Sequence, residues 1–145
     1  MTAIKQEPVS VSQLAGELRS ICVESSRAAG LQCVVEDQLE EGIREIPSFY
    51  YLNILSMLRE LINNTAKHAG AQNVRLRVLV DDRGIHLEYR DDGSGFDLET
   101  VSRGNGLYNI QSRAEEMHAE LHWETLAQTR VKLSIPLENM AWSAT

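Results

Sequence analysis

Val74, Leu76, Val78 and Val80 alternate with other residues, Asp81-Asp82-Arg83-Gly84 turns the chain, and Ile85, Leu87 and Tyr89 resume the alternation. A period of two on both sides of a turn predicts a β-hairpin with one apolar face. That face must be covered, and the rest of the chain supplies the cover. Leu14, Leu18, Ile21, Cys22 and Ser25 recur at helical spacing, with Gly30 as a stop. A long helix is expected from Pro47, placed in its first turn, to Ala69, with Gly70 as its C-terminal stop. A third helix should carry Leu107, Ile110, Ala114 and Met117 on one face. Further strands are expected at Leu31–Leu39, Leu121–Thr125 and Val131–Ile135. This order implies a two-layer α/β sandwich: a mixed, mostly antiparallel sheet covered on one face by three helices.

The length of 145 residues suits one core. Residues 1–9 read as a flexible lead-in, 10–138 as the domain and 139–145 as a tail. Hydrophobic residues at 43% and charged residues at 24% are the balance of a globular chain. The net charge of −7 leaves no broad cationic face to displace counterions from nucleic acid. The longest apolar run, Phe49-Tyr50-Tyr51-Leu52, is too short to cross a bilayer. Cys22 and Cys33 form no CxxC pair and no disulfide framework, so reduced thiols in the cytosol are expected.

Two features point to chemistry. Four of the nine glycines, Gly93, Gly95, Gly104 and Gly106, lie close together, and glycine serves where backbone turns sharply or approaches a ligand. A dinucleotide fingerprint fails for want of a third glycine and a preceding strand, a P-loop motif does not occur, and an EF-hand lacks its acidic oxygens at loop positions three and five. Gly106 opens a helix, whose exposed N–H groups favour an anion such as phosphate. On the long helix, at roughly 100° per residue, Ile54, Leu58, Leu61, Ile62 and Thr65 form an apolar stripe. Glu60, Asn64 and Lys67 lie about 135° away by the same arithmetic, with His68 on the shoulder between. A solvated face would account for such a stripe; so would a site for hydrated Mg²⁺ bridging phosphates.

Taken together, Glu60-x-x-x-Asn64-x-x-Lys67-His68-Ala69, Asp91-Asp92-Gly93-x-Gly95-Phe96 and Gly104-x-Gly106-Leu107 resemble the N, G1 and G2 boxes of the GHKL superfamily of Bergerat-fold ATPases. Lys67-His68-Ala69, a short lid and the segment from Gly106 to Arg113 are similar to sensor histidine kinases that pair with NarL-type response regulators. The likeness runs through nearly the whole chain, to Thr129-x-Val131-x-Leu133-x-Ile135-Pro136-Leu137. It implies that the domain binds ATP with Mg²⁺ and transfers the γ-phosphoryl to a histidine. Asn64 would ligate the metal, and Glu60, the catalytic residue, would orient a water or the nucleophile. Lys67 and His68 would approach the phosphates, and Asp91 would accept from the exocyclic amine of adenine. Gly93 and Gly95 would turn beneath the base, and residues 97–103, with Arg103, would form a lid. Gly104, Gly106 and Leu107 would line the phosphates at the helix start, and the Thr129 hydroxyl would complete the adenine pocket.

Two departures stand out: Asp92, where many members carry Asn, adds a charge beside the pocket, and Ala127-Gln128 stand where glycines are common. His86, His118 and His122 read as exposed strand or turn residues, and Arg113 as either a surface charge or a functional one. None of the four histidines is followed by the acidic residue of a typical acceptor site. The acceptor would therefore lie on a dimerisation hairpin outside this segment. Expected partners are ATP, that hairpin and, indirectly, a NarL-type response regulator, with no nucleic acid and no membrane contact by the domain itself. The expected location is the cytosol, free or as the cytosolic end of a membrane-bound sensor. Alternatives are an anti-sigma-factor-like serine kinase of the same superfamily and a nucleotide-sensing module that transfers nothing.

Overall fold

The computed structural model describes residues 7–40, 43–93, 105–124 and 128–140. The elements, in chain order, are β1 (Pro8–Ser10), α1 (Val11–Ala28), β2 (Gln32–Leu39), β3 (Glu45–Pro47) and α2 (Ser48–Asn64). A π-helical turn (Thr65–Ala69) extends α2, followed by β4 (Asn73–Asp81), β5 (Gly84–Asp91), α3 (Asn105–Glu116), β6 (Glu120–Glu124), β7 (Arg130–Pro136) and α4 (Leu137–Met140). The main sheet has the order β2-β4-β5-β7-β6. Only β2 and β4 run parallel; the β4–β5, β5–β7 and β6–β7 pairs are antiparallel. A parallel pair needs a crossover, and α2 lies in the connection between β2 and β4.

The alternation of β4 comes out as read. Val74, Leu76, Val78 and Val80 are buried, while Arg75 and Arg77 between them are exposed. They pack with Ile85 and Tyr89 of β5, and with Val131, Leu133 and Ile135 of β7, under the apolar faces of the helices. Leu14 and Leu18 from α1, Ile54 and Ile62 from α2, Ile110 from α3 and Met117 just beyond its end are among the most deeply buried side chains. Large aliphatic side chains in such a core each contribute about 2–5 kcal/mol against truncation to alanine. The β4–β5 turn is tight, since Asp81 pairs with Gly84. Gly84 has φ 146°, and a Cβ there would collide with the Ile135 carbonyl oxygen.

The structure departs from the sequence reading at several points. Pro47 is not in the first turn of α2 but ends β3, with the extended ψ of 143° of an N-cap. Pro8 and Val9, read as lead-in, pair with Pro47 and Ile46 in a small second sheet. Strands of three residues show too few alternations to be read from sequence. Residues 137–140, partly assigned to the tail, form a helical turn whose Met140 is buried. Cys22 and Cys33, expected as free thiols, are joined by a disulfide across a Cα–Cα distance of 6.3 Å. The tight connection from α1 into β2 lays the strand against the helix, and a spacing of eleven residues carries no sign of that approach.

Closing a short loop in this way stabilises a fold by about 2–4 kcal/mol. Protein alkylated with iodoacetamide in denaturant, without prior reduction, should therefore carry no adduct by intact mass, and two after reduction. Reduction should also lower the thermal midpoint.

Candidate functional site

The end of α2 is where regular helix geometry gives way. Asn64 closes the α-helix, and the next five residues form the π-helical turn that ends at Gly70, whose φ of 61° is left-handed. Wider turns of this kind concentrate at functional sites. They also defeat the 100° arithmetic beyond residue 64. Glu60 is half-buried and Lys67 exposed, but Asn64 is only 7% exposed, so the three do not form one solvated stripe. The Asn64 Nδ2 group is buried with no hydrogen-bond partner among the described residues. His68 belongs to the same turn.

Thr65, assigned to the apolar stripe, is buried for a different reason. Its hydroxyl donates to Asp91 Oδ2 at 2.8 Å and lies 2.6 Å from the Tyr89 hydroxyl. Tyr89 and Asp91 sit two residues apart on β5, so both project toward the helices. Burial, reinforced by the neighbouring Asp91 charge, holds the Tyr89 phenol far above the usual tyrosine range. Asp91 is 3% exposed, and its Oδ1 accepts from Gly93 N at 3.0 Å. Its backbone N–H donates to the Thr129 carbonyl at 3.0 Å. Thr129 is 1% exposed, and its Oγ1 has no partner among the described residues.

The fold therefore gathers Asn64, Asp91, Gly93 and Thr129 where the end of α2 meets the end of β5. An unpaired buried polar group costs about 1–3 kcal/mol, and two of these four residues carry one. A ligand with polar edges would satisfy them. Gly106 lies in the first turn of α3, where backbone N–H groups lack intrahelical partners. Leu107 is buried in the core cluster, so only its backbone faces the role expected of it. Gly95, Arg103, Gly104 and the 97–103 lid lie outside the described residues.

A shallow cleft of about 360 Å³ lies on the solvent-facing side of the sheet, among Arg77, His86, Glu88, Lys132 and Ser134. Much of its charge is already matched. Glu88 meets Arg90 and Arg130 at 3.2 Å and Lys132 at 3.9 Å. His86, expected to be exposed, is half-buried between Asp81 at 3.2 Å and Ser134 at 3.1 Å. That Asp81 oxygen is also occupied by the Arg83 and Gly84 N–H groups of the hairpin turn. Among the described residues the buried atoms without partners include Asn64 Nδ2 and Thr129 Oγ1 near the β5 end, and elsewhere Ser26 Oγ, Arg113 Nε and Arg130 Nε.

Residues 51–139 match the family of histidine kinase-, DNA gyrase B-, and HSP90-like ATPases. The chain belongs to this family. Sensor histidine kinase YdfH of Bacillus subtilis is 28% identical over 119 residues, which cover 77% of this chain and 28% of that protein. Sensor histidine kinase ComP of the same organism is 32% identical over 90 residues, covering 60% of this chain and 12% of that one. The chain thus spans less than a third of the length of these curated relatives. The histidine kinase domain of the Erythrobacter litoralis EL346 blue-light activated histidine kinase shares the fold, with a TM-score of 0.75 at 22% identity. That alignment covers 96% of this chain and 67% of that chain. This is a histidine-kinase-type ATPase domain; its relatives do not favour the serine-kinase alternative. Among its described residues no helix is long and apolar enough to cross a membrane.

Within this ATPase domain, sequence reasoning missed Thr65 and Tyr89. The available signals were a hydroxyl inside an apolar stripe and a tyrosine two residues before the aspartate. Arg113 donates from its Nη1 to Asn53 Oδ1 at 2.9 Å, tying α3 to α2. Asp92 has a structural part as well. Its carboxylate accepts from Asn73 Nδ2 at 2.7 Å and from the Gln72 and Asn73 N–H groups at 2.8 Å, fastening the start of β4. The Asn73 side chain first, then these backbone donors, hold its carboxyl below the usual aspartate range.

A depressed folded pKa means that this stabilisation is complete above the unfolded value, about 3.9, and disappears as pH falls through the folded one. Asp92→Ala should therefore lower the urea midpoint at pH 7. The difference from wild type should shrink as both proteins are titrated below pH 4.

Proposed function

We propose that this domain binds ATP with Mg²⁺ and transfers the γ-phosphoryl to a histidine on a dimerisation hairpin that lies outside residues 10–138, the proposed catalytic unit. The observation that carries the reading is the buried Asp91 carboxylate, pinned between Thr65 and Gly93, in a region where buried polar atoms of Asn64 and Thr129 have no partner among the described residues. A carboxylate offers only acceptors, which suits the exocyclic amine of adenine and repels the carbonyl edge of guanine. Thr129 would complete that pocket with its hydroxyl, and Gly93 with Gly95 would let the backbone pass beneath the base.

Asn64 would hold Mg²⁺ through its amide oxygen. The donor chemistry fits: Mg²⁺ prefers hard oxygens, keeps several waters and needs one or two protein ligands. When bound, the ion would neutralise phosphate charge. Glu60, one turn before Asn64 on α2, would orient the nucleophile or a water as the catalytic residue. Lys67 suits the phosphates as a point charge, with His68 beside it in the same turn. The lid from 97 to 103 with Arg103, together with Gly104, Gly106 and the Leu107 backbone, would enclose the triphosphate at the start of α3. Rate enhancement would come from positioning and electrostatic stabilisation of the transferred group. Further partners on this reading are the hairpin and, downstream, a NarL-type response regulator, in the cytosol and without nucleic acid.

Calorimetric titration with Mg²⁺–ATP should give saturable heat for the wild type and none for Asn64→Ala. Glu60→Ala should retain nucleotide binding while labelling of an added dimerisation hairpin slows about a hundredfold, the scale of a lost proton-handling group. The label should be acid-labile, as phosphohistidine is. Acid-stable label, or unchanged heat in Asn64→Ala, would contradict the reading.

A further inference from the structure

The hydrogen-bond order behind Asp91 is determined by counting protons. Thr65 carries one hydroxyl hydrogen, and the carboxylate at 2.8 Å receives it. The 2.6 Å contact between the Thr65 and Tyr89 hydroxyls must then be filled by the Tyr89 proton. Burial keeps that phenol protonated at any working pH. The Leu61 carbonyl, 3.3 Å from the phenol oxygen, is a longer and weaker second acceptor for the same hydrogen. The result is a one-way chain from Tyr89 through Thr65 to Asp91, in which each donor polarises the next.

We infer that Thr65 and Tyr89 are positioning residues that set how strongly this domain distinguishes purines bearing a 6-amino group, by fixing the rotation of the Asp91 carboxylate. The terminal torsion of an aspartate is broad and imposes little orientation by itself. Gly93 N holds Oδ1 from the same loop, two residues away. Thr65 holds Oδ2 from a different element, across a gap of 26 residues, and so defines the carboxylate plane relative to α2. Each oxygen keeps a lone pair for an incoming N–H donor. Without Thr65 the carboxylate could turn about its Gly93 contact, and its free lone pair would lose its direction. Thr65 also follows Asn64 directly in the chain, so the same π-helical turn anchors the base end of the site and its phosphate end. This inference rests on the ATP reading above and adds to it the residues that tune base recognition.

The test compares Mg²⁺–ATP with Mg²⁺–purine riboside triphosphate, which lacks only the 6-amino group, by calorimetry on the full chain. The wild type should prefer ATP. Thr65→Val keeps shape and removes the donor, and should reduce the preference about tenfold, the scale of one hydrogen bond to a charged group. Thr65→Ser should restore it. Tyr89→Phe, which keeps the ring, should reduce it about threefold, the scale of a weaker, indirect contribution. Equal weakening of both nucleotides would mean a merely structural role and would overturn the inference, as would an undiminished preference in both variants. If Thr65→Val lacks a cooperative melt, Tyr89→Phe decides alone. A wild type that binds ATP without regard to the amino group overturns the inference while leaving nucleotide binding intact. One that binds neither nucleotide overturns the ATP reading and this inference with it.

Discussion

Burial of one face of a five-stranded sheet is the constraint from which the rest of this molecule follows. Val74, Leu76, Val78 and Val80 cannot be left in water, and neither can Ile85, Tyr89, Val131, Leu133 and Ile135 across the ladder. Three amphipathic helices supply the matching apolar surface, and the resulting dry layer is non-directional and roughly proportional to area. The other face then stays polar, with Glu88, Arg90, Arg130 and Lys132 pairing among themselves. Such partly exposed pairs contribute little energy, but they match most of the charge around Glu88.

The same constraint places the site. A strand that alternates strictly must send residue 91 to the side that receives 85 and 89, so a carboxylate is carried into the apolar layer at its margin. A buried carboxylate is tolerable only with donors, and they come from Thr65 and Gly93. The π-helical turn at the end of α2 lets Thr65 face inward beside Asn64. Stability and ligand chemistry thus meet in a few residues. Hydrogen bonds that secure the fold at Asp91 also orient the acceptor that the proposed nucleotide would meet.

Much of this was legible in the chain. The hairpin, the faces of α1 and α3 and the succession of helices and strands along the chain follow from periodicity, whereas a shared site for Asn64, Asp91 and Gly93 was implied only by the family resemblance. The two-stranded ribbon of Pro8–Ser10 with Glu45–Pro47 was not, because three residues carry no period. Neither was the burial of Asn64, because a helical wheel shows which residues share a face but not what packs against it. The partners of Asp92 and Arg113 were not legible either. Each is satisfied by a partner distant in sequence, Asn73 and Asn53 respectively, and composition is blind to such pairs.

The sequence by itself determined which residues seek the interior, where the chain turns and which glycines, amides and carboxylates are available, since these depend on local sterics and on solvation of single side chains. Tertiary structure alone decided which of them meet: that Cys22 reaches Cys33, that Thr65 lends its proton to Asp91, and that Tyr89 stands behind both. Contacts of that kind arise only after long stretches of chain have been ordered. Their geometry is the outcome of packing many side chains at once, which no stretch of sequence encodes alone.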